Sequence, residues 1–225
     1  MTLILTLTLT LLTFFMLPKQ ENYQLARQMA VEGLGQADLH ERAVKSGGRY
    51  ESGSGGEARV RLEYLGRELL LSFPPGTIAA TNGQEPISLR EEILVLHYLE
   101  KATGTAPTGR WISFAEIPGG AFYHPVFLQR CQFPLVRFFG PDPEGLKTVA
   151  EPMPGGSLDF GDVGVKIQAF PFIPLALILW RGDAEFPTEG NLLFDDSITE
   201  YLPVEDIVIL AETVVWKLIK NREKA

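Results

Sequence analysis

The sequence contains three side chains of the types used in acid–base catalysis, and each lies in or next to an aromatic or turn-forming segment. His124 belongs to an aromatic segment, and Asp183 and Glu185 follow Trp180. Two carboxylates near a histidine can transfer protons when all three groups meet in one pocket and their pKa values differ. An enzyme that uses His124, Asp183 and Glu185 is therefore one hypothesis, and it requires the fold to bring these residues together.

Eight of the 23 aromatic residues fall between positions 111 and 139. Within this stretch, Gly119 and Gly120 allow a neighbouring strand or a ligand to approach the backbone closely. Aromatic residues most often build a core, and the rival interpretation is an apolar pocket with a few polar contacts. The pocket is our leading hypothesis: it would bind a small cofactor or metabolite, which the sequence does not identify. The candidate ligand-binding residues are Arg110, Trp111, Gly119, Gly120, Phe122, Tyr123, His124, Trp180, Asp183 and Glu185.

Acidic residues concentrate in one part of the chain, which we call the acidic segment (residues 183–206). It contains eight Asp or Glu residues and no Lys or Arg, so it accounts for the whole net charge of −8. Binding to a nucleic-acid backbone needs a basic stripe, and we therefore expect no nucleic-acid partner. A solvated acidic face is the simplest interpretation. The alternative is an interaction module that docks on a basic protein.

The sequence predicts no metal site. Asp183, Glu185, Asp195 and Asp196 leave a divalent ion possible, but their spacing does not match the calcium loop of an EF-hand. The single cysteine, Cys131, excludes an intramolecular disulfide and any all-cysteine zinc or iron–sulfur site within one chain. Phosphate-loop, dinucleotide-binding and nucleophile-elbow motifs are also absent from the sequence.

Hydrophobic periodicity predicts an α+β fold with a mixed or largely antiparallel sheet, packed by N-terminal, central and C-terminal helices. Residues 58–65 and 68–73 form a predicted hairpin, and residues 163–170 and 175–180 form further strands of the same sheet. The predicted helices cover residues 21–46, with a break near Gly33 and Gly35, the stretch after Ser88, and the stretch after Pro203.

Local signals mark an end of each of four predicted helices. Ser88 with Glu91 forms a predicted capping box, and Ser113 begins a similar pattern before a short helix. Pro125 is predicted as the first residue of the next helix. In the last helix, Lys217 and Lys220 are interpreted as cations that complement the negative end of the helix dipole.

The first residues are interpreted separately from the globular part. Residues 1–15 form an apolar leader, and our preferred interpretation is that translation begins at Met16. Residues 16–225 would then form a single globular domain. The alternatives are a membrane anchor or a signal peptide, although the stretch lacks a basic residue before Lys19. We expect a membrane partner only if residues 1–17 are retained as an anchor, and otherwise a cytoplasmic protein.

Four runs of sequence resemble the domain of unknown function 3786 family. They are Gly-Arg-Trp-Ile-Ser-Phe at 109–114, Pro-Gly-Gly-Ala-Phe-Tyr at 118–123, Leu-Trp-Arg-Gly-Asp-Ala-Glu-Phe-Pro at 179–187, and the stretch from Leu-Phe-Asp at 193–195 to Tyr-Leu-Pro-Val-Glu-Asp at 201–206. The similarity extends over residues 21–220 and supports Met16 as the start. The resemblance implies a setting in anaerobic bacteria and archaea. Some longer members carry a cysteine-rich segment, which this chain lacks because it has only Cys131.

Overall fold

The computed structural model describes residues 19–81, 83 and 85–224. The apolar leader and the interpretation of Met16 as the start lie outside the described residues. Within the described part of the chain, no helix is both long enough and apolar enough to cross a membrane.

Helices and strands alternate in blocks along the chain. The helices are α1 (Lys19–Gly35), α2 (Leu39–Lys45), α3 (Leu89–Lys101), α4 (Gly120–Phe127), α5 (Phe133–Phe139), α6 (Glu144–Ala150) and α7 (Val204–Lys224). The strands are β1 (Arg49–Ser52), β2 (Ala58–Tyr64), β3 (Arg67–Phe73), β4 (Thr77–Ala80), β5 (Trp111–Ser113), β6 (Gly155–Leu158), β7 (Val163–Phe170), β8 (Ile173–Trp180) and β9 (Glu189–Asp195).

The strands form two antiparallel sheets. The first has the order β1-β2-β3-β4, and the second has the order β5-β9-β8-β7-β6. The predicted α+β class is confirmed. The sequence predicted one sheet, whereas the hairpin β2–β3 and the strands β7 and β8 belong to two. A hairpin pattern specifies only the neighbouring strand, and the partners of its outer edges depend on long-range contacts. The sheets meet where the N–H of Leu65 donates to the carbonyl of Ala169 at 2.9 Å.

Local patterns account for the elements that were predicted correctly. Val60, Leu62 and Tyr64 of β2 are buried and alternate with more exposed residues, as expected for a strand with one face on the core. The capping box at the start of α3 is present, because Ser88 and Glu91 each bond the other's backbone N–H. The predicted break after Gly33 is confirmed by the end of α1 and the separate helix α2.

Helix α7 and a stack of aromatic rings join the two sheets. The apolar face of α7, including Leu210, Val214 and Leu218, is fully buried and contacts α3, α4, α5, α6 and β7. Tyr64 of β2 contacts Phe170 of β7 with the ring centroids 4.9 Å apart, and Tyr98 of α3 stacks on the same Phe170 at 4.1 Å. Helix α2, which lies within the predicted N-terminal helix, packs against β1 and β2. The prediction that N-terminal, central and C-terminal helices pack on the strands is therefore confirmed.

The start of α4 differs from the prediction. Gly119 adopts the left-handed conformation with φ of 80°, and the helix begins at Gly120, so Pro125 lies inside it rather than at its first position. The prediction for Pro125 was wrong because the left-handed turn at Gly119 already directs the chain into a helix. Proline cannot donate a helical hydrogen bond, and a π-helical turn at Leu128–Gln132 follows.

We expect Gly120→Ala to lower the free energy of unfolding by more than about 3 kcal/mol, because the close approach leaves no room for a side chain. A Cβ at this position would lie 1.9 Å from the carbonyl oxygen of Phe114. Gly156→Ala is the matched control, since a Cβ there has no atom within 4 Å among the described residues. Urea unfolding followed by circular dichroism measures both. Equal stabilities for the two variants would contradict the close approach.

Candidate functional site

The structure gathers the first group of predicted binding residues around the end of β9. Trp111 of β5 pairs with Asp195. In the following segment, Phe127 stacks on Phe114 at 4.2 Å and meets the edge of Phe194 at 6.0 Å. These aromatic rings therefore form part of the core, which is the simpler of the two interpretations given for them.

The second group lies at the opposite end of the same strand. Trp180, the last residue of β8, pairs with Glu189 at the start of β9, and Asp183 and Glu185 lie in the loop between them. The five residue steps along β9 from Glu189 to Phe194 span roughly 17 Å. His124 lies near Phe194, since its ring is 6.4 Å from that of Phe127. The strand pairing therefore separates His124 from Asp183 and Glu185.

Several candidate residues are at the surface. Phe122 is 84% exposed and so does not line an enclosed apolar wall. The Tyr123 hydroxyl donates to Glu205 Oε1 at 2.6 Å, and this hydrogen bond raises the pKa of Tyr123. Trp180 is 41% exposed at the end of its strand. The exposure of Phe122 and Trp180 indicates surface positions rather than the walls of an enclosed pocket.

Asp183 stabilises its own loop. One carboxylate oxygen accepts hydrogen bonds from the N–H groups of Glu185 and Phe186, both at 2.8 Å. These two bonds lower the pKa of Asp183, because they favour the charged carboxylate. This arrangement is a local turn in which aspartate replaces a backbone acceptor.

Asp195 is a buried structural carboxylate. It is 1% exposed and accepts hydrogen bonds from the N–H groups of Thr108, Gly109 and Ser197, and from the Ser197 hydroxyl, over 2.6–3.1 Å. Burial alone would raise its pKa, but the bonds from Ser197, Thr108 and Gly109 outweigh burial and lower it. Asp195 thus fixes the loop before β5 to the end of β9.

Other acids in the acidic segment also have internal partners. Asp196 accepts from Arg110 Nε at 2.6 Å, and Asp206 lies 2.6 Å from His97 Nδ1. With Asp183, Asp195 and Glu205, five of its eight acids are engaged in bonds within the described part of the chain. These bonds help to hold the fold, and two of the five acids, Asp196 and Asp206, meet an arginine or a histidine. No group of three or more possible metal-ligating side chains comes together among the described residues.

A groove of about 860 Å³ runs along α7 and contains none of the predicted binding residues. Its floor and walls come from the β2–β3 turn, the start of α3 and the residues before it, the turn after α6, and the second half of α7. The lining residues are Leu65, Gly66, Arg67, Glu85, Pro86, Ser88, Arg90, Glu91, Pro152, Met153, Glu212, Thr213, Trp216, Lys217, Lys220 and Asn221. We call it the α7 groove. A smaller depression of about 370 Å³ adjoins it and shares Met153.

Two carboxylates of the α7 groove are committed to structural bonds. Glu212 is held between Arg90 and Arg130, and Glu91 closes the capping box with Ser88. Burial would raise the pKa of Glu212, but the hydrogen bonds from Arg130 and Arg90 prevail and lower it. The charge of Glu212 is thus balanced by arginines, whereas Glu91 is bonded to a neutral serine and keeps its negative charge.

Lys217 lies half-buried in the groove. Its Nζ donates to the carbonyl of Leu65 at 3.2 Å. Burial lowers the pKa of Lys217, and the nearby Arg67 guanidinium lowers it further, while Glu91 opposes the shift. Neither Lys217 nor the exposed Lys220 has a carboxylate within 4 Å in the part of the chain that the structure describes.

Sequence reasoning missed this groove because its lysines have an ordinary explanation at the end of a helix. One available signal was the position of Lys217, three residues after Val214 and one before Leu218, at the edge of the apolar stripe. A lysine at that edge is more buried than one on the polar face.

We expect Asp195→Asn to lower the free energy of unfolding by about 2–4 kcal/mol, because the amide would turn a donor toward donors in a buried position. Asp183→Asn is the matched control, since an asparagine oxygen serves the same exposed turn equally well, and we expect a change below about 0.5 kcal/mol. Chemical unfolding measures both. A similar small change at Asp195 would refute its role as a buried acceptor.

Titration of His97 should make the free energy of unfolding depend on pH. The hydrogen bond to Asp206 raises the pKa of His97 above its ordinary 6.5, against the effect of burial. This contribution is fully present below the unfolded-state pKa and is lost as pH rises through the folded-state pKa. Relative to His97→Gln, the wild-type protein should therefore lose stability as pH rises from about 6.5 through the raised folded-state pKa of His97. The test is to measure the unfolding free energies of the wild-type protein and of His97→Gln across this pH range. Parallel pH profiles for the two proteins would contradict the prediction.

Comparison with known proteins supplies a family. No curated protein and no solved structure matches the chain. Residues 38–217, which contain every strand and end at Lys217, match the family described as Domain of unknown function (DUF3786). The match confirms the resemblance recognised in the four sequence runs. Because it covers most of the residues, the chain belongs to the DUF3786 family.

Proposed function

We propose that this protein binds a small anionic metabolite in the α7 groove. The observation that carries the proposal is the presence of two lysine amines, Lys217 and Lys220, without a carboxylate within 4 Å among the described residues. A volume of about 860 Å³ falls within the range of about 300–1,000 Å³ typical of small-molecule sites.

The charge of the groove supports an anion. Its lining contains four cationic residues, Arg67, Arg90, Lys217 and Lys220, and three carboxylates, in a protein whose net charge is −8. The lining thus carries one more cation than carboxylates, and Glu212 is already paired with Arg90 and Arg130. Such a local field concentrates small anions even on an acidic protein.

Trp216 adds an apolar surface to the α7 groove, next to its cationic side chains. Its indole is 41% exposed and lines the groove beside Lys217 and Lys220. An aromatic face next to two amines favours a compact organic anion over a bare inorganic one. The class that fits best is a small carboxylate or phosphate ester.

The remaining hypotheses have less support. Docking on a basic protein is weakened because most of the acidic segment has internal partners. Ligand binding by the aromatic segment, with Arg110, Trp111, Tyr123 and His124, stays a prediction. A cytoplasmic location and a role in anaerobic metabolism are part of the proposal, and the buried Cys131 suits a reducing compartment.

Thermal unfolding of the whole chain, purified without oxygen, tests the proposal. The probes are potassium phosphate, pyrophosphate, succinate and glycolate, each compared with potassium chloride at equal ionic strength. A ligand at a hundred times its Kd adds about 2.7 kcal/mol to the unfolding free energy and raises the midpoint by on the order of 5 °C. The absence of a shift beyond that of chloride for every probe would overturn the proposal.

Lys220→Gln should reduce the affinity for the stabilising anion by roughly two- to fivefold, because it removes one exposed charge. Lys45→Gln is the matched control. Lys45 pairs with Glu41 on α2 and packs near the chain that follows the far end of α3. Equal weakening by both substitutions would indicate a nonspecific charge effect and would contradict binding in the α7 groove.

A further inference from the structure

The α7 groove contains an amine whose surroundings differ from those of an ordinary surface lysine. Lys217 Nζ is half-buried and donates to one backbone carbonyl, that of Leu65. An ammonium group has three donors, and a lysine paired with a carboxylate is held in the charged form. A neutral carbonyl stabilises the ammonium form less than a carboxylate does. Lys217 therefore loses its proton to give the neutral amine more readily.

The groups that face Lys217 come from four parts of the groove. Arg67 follows the β2–β3 turn, Glu91 and Arg90 lie on α3, and Glu85 precedes that helix. Glu212 and Lys220 share α7 with Lys217. Burial and Arg67 lower the pKa of Lys217 and Glu91 raises it, with a net decrease. Glu212 is paired with Arg90 and Arg130, while Glu91 bonds Ser88 and still acts on Lys217 as a negative charge.

The groove also holds the amine in place. Leu65 adopts a left-handed conformation with φ of 50°, and Gly66 follows with φ of 75°, as in a tight hairpin turn. The Leu65 N–H is fixed to Ala169, so the carbonyl that receives Lys217 belongs to a turn tied to both sheets. The Lys217 amine is thus positioned by the fold and not by solvent.

We propose that Lys217 forms an imine with the carbonyl carbon of a small anionic aldehyde or oxo acid bound in the α7 groove. This inference rests on the proposed binding of anions and adds the reactive class of the ligand. The carboxylate or phosphate of the ligand would lie toward Lys220 and Arg67, and its carbonyl toward Lys217. Half-buried lysines of this kind are the ones that serve as covalent nucleophiles toward carbonyl compounds.

The reaction is a condensation in which nothing is oxidised or reduced. The lone pair of Nζ forms a C–N bond with the carbonyl carbon, while the C=O π electrons move to oxygen. The nitrogen then forms the second bond to carbon as the C–O bond breaks. The oxygen leaves as water with the two protons of the amine, and the product is an imine.

Reductive trapping of the whole chain with glyoxylate and sodium cyanoborohydride tests the inference. The hydride reduces the imine and leaves a carboxymethyl group on the lysine that formed it. Peptide mass mapping after brief treatment near neutral pH should place the label on Lys217 ahead of Lys220, its exposed neighbour. Because the pKa of Lys217 is lowered, its labelling should also persist to lower pH than labelling of Lys220.

Two charge-preserving variants test whether Lys217 acts as a nucleophile or only as a positive charge. Lys217→Arg should lose the preferential label, because a guanidinium does not form the imine under these conditions. Lys220→Arg should keep the label on Lys217. Labelling of the wild-type protein in urea provides a second control, since the preference should vanish when the groove unfolds. A label spread evenly over the lysines of the folded protein would overturn the inference.

Glycolate distinguishes failure of this inference from failure of the proposed function. It has the carboxylate of glyoxylate with a hydroxyl in place of the carbonyl, so it can bind but cannot form an imine. Thermal stabilisation by glycolate with even labelling by glyoxylate would leave anion binding intact and refute the imine. Preferential labelling of Lys217 without stabilisation by any anion would refute anion binding and, with it, the anionic class of the ligand.

Discussion

The backbone conformation of Leu65 is the constraint on which the α7 groove depends. Its positive φ is unusual for a residue with a side chain, and surrounding contacts must compensate about 1 kcal/mol or more of strain. Three contacts do so: the side chain is buried, the N–H donates to Ala169, and the carbonyl accepts from Lys217. One residue therefore joins the first sheet to the second sheet and to α7, and the groove lies where these three elements meet.

Charge in this protein is divided between two uses. The acidic segment looks like an exposed face when it is counted along the chain, yet Asp195 is buried among N–H donors and Asp206 is paired with His97. A carboxylate that accepts several hydrogen bonds holds loops together and is a poor docking group, because docking would have to break those bonds. The cations of the α7 groove show the opposite pattern, since two of its lysines have no carboxylate nearby among the described residues. The position of the unpaired charge, and not its total, indicates where an ionic ligand fits.

The sequence predicted those features that depend on neighbouring residues. The alternation in β2, the capping box at Ser88 and the long helix α7 are local patterns, and each was found where the pattern placed it. The two-sheet arrangement and the separation of His124 from Asp183 depend on strand pairing, which local patterns do not encode. The groove was missed for the same reason, since its walls come from segments more than a hundred residues apart.

Position 217 carries a lysine rather than an arginine, and the proposed imine requires a lysine there. Arginine remains charged in almost any environment and suits fixed pairs, and the groove uses Arg90 in that way beside Glu212. Lysine responds to burial by giving up its proton more readily, and position 217 combines burial, a cationic neighbour in Arg67 and a neutral acceptor. A groove built only to attract anions gains nothing from a lysine that is easier to neutralise. In the proposed imine, Lys217 would supply the free amine, while Lys220 and Arg67 would supply the positive charge that holds the anion.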